Sequence, residues 1–373
     1  MRTPGQQRRN PESIKLFQMQ KTSNATSFPN HGVSIVLCCY NSAQRLKPTL
    51  EHLCRQEVPD GLKWEVVVVD NASTDSTAET ARSLWPKQDA PAALRVVRED
   101  QPGLSHARRR GFTEAQYEFV SFIDDDNWVS TDWVAVIFEL MSQHPHVGAC
   151  GGKSSPTFEI SPPHWFAERH RSMAIGEQGS AEGDITTTRG KLWGAGLTIR
   201  KEAWQQIEQA GWKLLLEDRK GKLLTSGGDN ELCYWLQFLG WKLYYSPRLN
   251  LQHFMPRERL TWRYHTKMER AKAVTYIIDK AYSQILSGDH RSRQGAVQKW
   301  LGALAFALRK SLRYLFKSAG AGWRAGNIAW LIFLGLISQV FAMLKMGPYG
   351  HERIYSHIRA IQSQAKALVT TKQ

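Results

Sequence analysis

The feature that most constrains this chain is a rhythm over residues 33–123, where short apolar runs alternate with stretches of helical spacing. Val33-Ser-Ile-Val-Leu-Cys-Cys39 and Trp64-Glu-Val-Val-Val-Val-Asp70 have strand length, and Leu94–Arg98 and Phe119–Ile123 are two further strand candidates. Ala43–Gln56, Ser76–Trp85 and Ser105–Gln116 read as the intervening helices. Strand–helix repetition of this kind implies an α/β fold whose strands run parallel and are joined by right-handed crossovers. The loops after successive strands then emerge at one edge of the sheet, where open α/β folds place their ligands. Three of those loops are polar: Tyr40-Asn41, Asp70-Asn-Ala-Ser-Thr-Asp75 and Asp124-Asp-Asp-Asn127.

The rest of the chain is less regular. Residues 1–30 are polar, basic and broken by Pro4, Pro11 and Pro29, which predicts a flexible arm. Residues 147–253 are rich in loops, with a strand expected over Trp193–Arg200 after a glycine turn. Residues 257–285 have a helical pattern and His290–Arg293 a break. The boundaries that follow are an arm at 1–30, a catalytic domain at 31–255 and a tail at 256–373.

Charge decides what kind of partner the tail seeks. The net charge is +15, but residues 256–373 hold 20 Lys/Arg against 5 Asp/Glu, while residues 31–255 hold 24 against 28. A mildly acidic domain with a basic, apolar tail suits an anionic membrane surface and argues against nucleic acid, for which the folded domain itself would carry the basic residues. Over Lys299–Lys317, Leu301, Leu304, Leu308, Leu312 and Leu315 share one helical face, with Arg309, Lys310, Arg313 and Lys317 at its flank, the pattern of an interfacial helix. Ile328–Leu344 is a 17-residue apolar run, at the lower limit of a membrane span and interrupted by Ser338-Gln339. Spanning, surface attachment, and packing of both helices on the domain all stay open. The five cysteines lack CxxC spacing and read as reduced. No apolar secretion segment precedes the first strand, so the catalytic face is expected in the cytosol, on a peripheral or single-span protein.

The chemistry concentrates in Asp124-Asp125-Asp126. Three consecutive carboxylates at a strand end repel one another unless a cation neutralises them, and oxygen ligands suit Mg²⁺ or Mn²⁺. Such an ion bridging two phosphates would stabilise a departing diphosphate. The alternative is a solvated acidic turn capping the helix that starts near Asp132.

Val36–Asn41, Val66–Asp75, Gly103–Gly111 and Phe122–Asn127 resemble, in order and spacing, the first half of family 2 glycosyltransferases, and Trp193–Trp204 and Gly227–Leu232 extend the likeness to about residues 33–255. The resemblance implies a GT-A fold, with a Rossmann-like, mostly parallel sheet flanked by helices and followed here by a helical, membrane-associated tail. It implies an inverting, metal-dependent transfer from a nucleotide-diphospho-sugar to a saccharide or lipid-linked acceptor in cell-surface polysaccharide synthesis. Carried over, Tyr40 packs near the donor base and Asp70 accepts a hydrogen bond from it. Asp124 lies near the ribose, Asp125 holds the variable middle position, and Asp126 is the leading metal ligand, with His253 completing the metal site. Arg108 approaches the donor, or else faces solvent on its helix. Asp229 takes the place of the catalytic base, with Gly228 where a Glu is common. Glu231 is either its partner on the acceptor side or a helix N-terminal charge favoured by the dipole. Trp193, beside Gly194 and Gly196, is placed to stack on an acceptor sugar or to serve as a core residue at a tight turn.

Ala72 stands where a glycine is frequent, and Cys39 where a threonine is. The Gln-x-x-Arg-Trp motif of polymerising relatives is absent, favouring single-sugar transfer. A sugar nucleotidyltransferase would carry a glycine-rich loop in place of Cys39-Tyr40-Asn41-Ser42. A catalytically silent membrane-bound scaffold remains the other alternative.

Overall fold

A computed structural model of the protein describes residues 30–211, 214–216, 227–321 and 326–371. The expected arm at 1–30 falls, but for Asn30, outside the described residues. In chain order the elements are β1 (Val33–Cys39), α1 (Leu46–Cys54), β2 (Trp64–Asn71), α2 (Thr77–Leu84), β3 (Ala93–Glu99), α3 (Leu104–Glu114), β4 (Phe119–Asp124), β5 (Asn127–Val129), α4 (Trp133–Gln143), β6 (Val147–Phe158), β7 (Gly183–Asp184) and β8 (Thr198–Arg200). They continue with α5 (Lys201–Gln209), α6 (Gly228–Phe238), β9 (Lys242–Met255), α7 (Trp262–Ala271), α8 (Ala273–Leu286), α9 (Ala296–Ala321) and α10 (Ile328–Thr371).

One mostly parallel sheet runs in the order β3-β2-β1-β4-β8-β6-β9-β5, with β7 pairing β9. The first four strands are mutually parallel, as the sequence rhythm predicts. β8 inserts antiparallel between β4 and β6, and β5 runs antiparallel to β9. Burial explains why the apolar runs are unbroken. In β1, Val33, Ile35 and Leu37 pack on one face with Leu46, Leu50, Val134 and Ile137, while Val36 packs on the other with Phe112 and Trp204. A strand covered on both faces has no position for a polar side chain to point to water.

The strand expected over Trp193–Arg200 is shorter, because Gly196 takes a left-handed φ of 73° and the chain turns there before pairing at Thr198. The helical pattern of 257–285 resolves into a 3-10 turn at Arg257–Leu260 followed by α7 and α8, and the predicted break at His290–Arg293 is another 3-10 turn.

The tail does two things. Trp300 donates to the Met343 carbonyl at 2.9 Å and Asn327 to the Ser318 carbonyl at 3.0 Å, so α9 and α10 form a hairpin. Gly347, with φ 66°, and Pro348 interrupt α10. Beyond this break Tyr355, Ile358, Ile361 and Ala365 enter the same core as Tyr234 of α6 and Tyr282 of α8. The segment before the break makes α10 the one described helix long and apolar enough to cross a membrane.

Candidate active site

A cleft of about 750 Å³ opens at the edge where β1 and β4 end. Its walls include Tyr40, Arg108, Asp124, Asp125, Asp126, Trp193, Asp229 and His253, so eight of the ten sequence-predicted side chains share one cavity. Asp70 and Glu231 are not among its lining residues.

The strand-end loops of the cleft are tied to one another. Asn41 carries a left-handed φ of 50°; its Oδ1 accepts from Thr74 N at 2.8 Å and its N–H donates to Ser73 Oγ at 3.0 Å. Asp75 accepts from Ala43 N at 3.1 Å, which binds the loop after β2 to the start of α1. Ala72 sits at φ 55°, a conformation that costs an alanine more than the glycine frequent at this position in the family it resembles. Asp70 is buried; its Oδ2 accepts from Arg98 Nη1 at 2.9 Å and its Oδ1 from Ser73 N at 3.2 Å. Tyr40, 45% exposed, stands open at the rim.

The acidic triad does not cap α4: Asp132 holds that position, and the triad carboxylates face the cleft. Arginines offset much of their repulsion. Arg45 Nη2 lies 2.7 Å from Asp125 Oδ2, which Ser42 Oγ also approaches closely. Burial, followed by the adjacent Asp126 carboxylate, pushes the Asp125 pKa up against the pull of Arg45. Arg259 Nη2 lies 2.9 Å from Asp126 Oδ2, and Asn127 Nδ2 donates to Asp126 Oδ1 at 3.0 Å. Burial works against the charge on Arg259, yet Asp126, with Asp125 and Asp124 beyond it, raises its pKa overall. His253 Nε2 lies 3.5 Å from Asp126 Oδ1 and 3.1 Å from Arg259 Nη1, because Asn127 on β5 pairs with His253 on β9 across the sheet edge.

The opposite wall presents Asp229 in the first turn of α6. Its Oδ2 accepts from Gly194 N at 2.9 Å and its Oδ1 from Asn230 N at 3.0 Å, which aims the carboxylate into the cleft. A Cβ at Gly194 would come within 2.4 Å of Arg108 Nη2, so any larger residue there would displace the guanidinium from its present place. Arg108 is correspondingly buried, its guanidinium 5.9 Å from the Phe122 ring. Trp193 is fixed by its N–H to Gln178 Oε1 at 2.7 Å and carries the Arg189 guanidinium 4.5 Å above its ring. Glu231 points inward, accepting from Leu215 N at 2.9 Å and Tyr282 OH at 2.7 Å.

Several lining groups went unread in the sequence. Arg45, Arg259, Lys191 and Asp279 line the cleft, as do Tyr264 and Met268 of α7, so residues counted with the tail complete the cavity. Lys191 Nζ grips Asp279 at 2.7 and 2.8 Å. The one available signal for Arg259 was position: a basic residue shortly after a candidate ligand, where an unbalanced acidic triad needs a cation.

Asp126 Oδ1 and His253 Nε2 are an oxygen and a nitrogen donor on one cleft wall, a pair that suits Mn²⁺. Among the described residues no three His, Cys, Asp or Glu side chains stand together as a metal site, so donor phosphates or water would have to complete the coordination of any ion held there.

Residues 34–193 match the family described as Glycosyl transferase family 2. The poly-beta-1,6-N-acetyl-D-glucosamine synthase of Staphylococcus epidermidis is 28% identical over 121 residues, which are 32% of this chain and 28% of that protein. The putative glycosyltransferase EpsH of Bacillus subtilis (strain 168) is 30% identical over 101 residues, 27% of this chain and 28% of that one. The chain thus spans less than a third of the length of these curated relatives. Among solved structures, S. aureus TarS 1-349 in complex with UDP-GlcNAc is 16% identical, with a TM-score of 0.48, covering 83% of this chain and 92% of that one. Asp229, His253 and Arg259 lie beyond the matched stretch. The stretch that resembles glycosyl transferase family 2 ends at residue 193, and the chain that follows it supplies the remaining lining of the cleft.

Proposed function

We propose that the protein is an inverting glycosyltransferase that moves one sugar from a nucleotide-diphospho-sugar to a saccharide or lipid-linked acceptor, at the cytoplasmic face of a membrane during cell-surface polysaccharide synthesis. The observation that carries this reading is the convergence of Asp126 and Asp229 on the lining of a single cleft, beside parallel strands in a stretch that matches glycosyl transferase family 2. In it, Tyr40 flanks the donor base, Asp70 and its loop shape the base subsite, Asp124 faces the ribose, and Arg108 lies below the sugar. Asp126 and His253 would hold Mn²⁺ or Mg²⁺. That ion, when bound, neutralises charge on the departing diphosphate.

Asp229 is the base. Two backbone N–H groups orient its carboxylate, so its remaining lone pairs face the acceptor side. The acceptor oxygen attacks the anomeric carbon, the bond from that carbon to the diphosphate oxygen breaks, and the hydroxyl proton passes to Asp229. A single displacement of this kind inverts the anomeric centre. Trp193, with its backbone tethered and one face against Arg189, offers its other surface to a sugar ring.

For the tail we favour peripheral attachment. Gly335, in the middle of the apolar segment of α10, packs against Glu269, and Glu269 is ion-paired with Arg169 of the domain. A bilayer core would have to take this buried pair as well. Instead the outer face of α9, with Leu301, Leu308, Leu312 and Phe316 exposed between basic residues, supplies the contact with anionic lipid.

The test is to incubate the purified protein with Mn²⁺ and a panel of nucleotide-sugars and to measure nucleoside diphosphate release. Release by the wild type that disappears in both Asp126→Ala and Asp229→Asn supports the transferase. Donor binding without release would support the scaffold, and NMR showing retained anomeric configuration would overturn inversion.

A further inference from the structure

Arg259 engages both candidate metal ligands at once. One guanidinium nitrogen donates to Asp126 Oδ2 at 2.9 Å and the other to His253 Nε2 at 3.1 Å. A guanidinium has no lone pair to offer, so His253 Nε2 must be the acceptor in that contact. That nitrogen lone pair is the one a metal ion would need, and the Asp126 carboxylate is likewise already engaged by positive charge. Arg259 is not placed there by chance of rotamer alone. Its carbonyl accepts from His265 Nε2 at 3.1 Å, and burial, with Arg169 nearby, lowers the His265 pKa to about 4 and keeps that ring a neutral donor near pH 7.

We propose that Arg259 is a resident counter-cation that competes with the divalent ion for Asp126 and His253, so that metal entry requires the guanidinium to leave the pair. The proposal rests on the reading of those two side chains as metal ligands. The single lone pair of His253 Nε2 cannot serve two cations, a guanidinium on Asp126 Oδ2 repels a divalent ion approaching Oδ1, and the loss of charge-assisted hydrogen bonds to Arg259 is set against metal binding. Arg259 thereby lowers the affinity of the empty enzyme for metal and balances the triad until donor phosphates arrive.

The test titrates Mn²⁺ alone into the full-length protein, with free Mn²⁺ followed by EPR. Arg259→Gln, which removes the charge, is expected to bind Mn²⁺ about tenfold tighter than wild type or more. Arg259→Lys, which keeps the charge but cannot reach both partners, is expected to fall between them and serves if the Gln variant does not fold. Asp126→Asn in the Arg259→Gln background should abolish the gain. Equal affinity in wild type and both Arg259 variants overturns the competition while leaving the metal reading intact. Failure of all three proteins to bind Mn²⁺, even with UDP, GDP or TDP present, overturns the metal reading and the proposal together.

Discussion

The two walls of the cleft are built by different means. One wall is a set of strand-end loops tied by links between backbone and small polar side chains, as in Asn41 with Ser73 and Thr74 or Asp75 with Ala43. The rest of the cleft and the core behind it are held by side-chain pairs that meet across longer stretches of chain, as in Arg259 with Asp126, Lys191 with Asp279 and Glu231 with Tyr282. Links of the first kind join neighbouring strand-end loops to one another. Pairs of the second kind bring in charge from elsewhere, and their geometry depends on the whole domain being folded.

This contrast predicts a division of labour that can be tested. Asp229→Asn should lower kcat about a thousandfold while leaving the dissociation constant for nucleoside diphosphate within a factor of two or three of wild type, by calorimetry. If nucleotide binding falls with turnover, the walls do not divide donor from proton transfer. Glu231→Ala strips buried acceptors from Leu215 N, Leu216 N and Tyr282 OH and should destabilise the protein by about 3 kcal/mol in urea unfolding. An effect near zero would mean that α6 and α8 are not held together by this carboxylate. Phe316→Ala, on the exposed face of α9, should weaken binding to vesicles containing phosphatidylglycerol about tenfold, with turnover on a soluble acceptor unchanged. Unaltered vesicle binding would remove this face from the membrane contact.

The smallest effect is one of pH. Burial, with Arg169, lowers the His265 pKa from 6.5 to about 4, so between those values the unfolded chain binds a proton that the folded chain does not. The His265 contribution is therefore intact above pH 6.5 and lost progressively as pH falls toward 4. His265→Gln retains an N–H donor for the Arg259 carbonyl without titrating, and should flatten the fall of melting temperature over that window. An identical slope in both proteins would show that His265 is not held neutral.

The same contrast explains what could be read from the chain. Apolar runs announced β1, β2 and β4, which are covered on both faces, whereas β3 at the sheet edge is only half-buried and carries Arg95 and Arg98 among its apolar residues. The acidic triad was legible as a cluster that needs a cation. Which cation stands there was not, for Arg259 lies in the basic region that charge counting assigns to the tail, and only the pairing of β5 with β9 brings it to Asp126. Glu231 looked like a site residue because it follows Asp229 by two positions. On a helix two positions are about 200° apart, so one side chain faces the cleft and the other the core.

The final turns of α10 fill out the interior beside Tyr234 and Tyr282, and α8 presents Asp279 to the cleft on another of its faces. The end of α10 therefore shares its core with a helix that lines the cleft. A version of this protein cut back at the Gly347 break to gain solubility would lose the keystone of its own fold, so biochemical work is better served by detergent or by polar substitutions on the outer surface of α9.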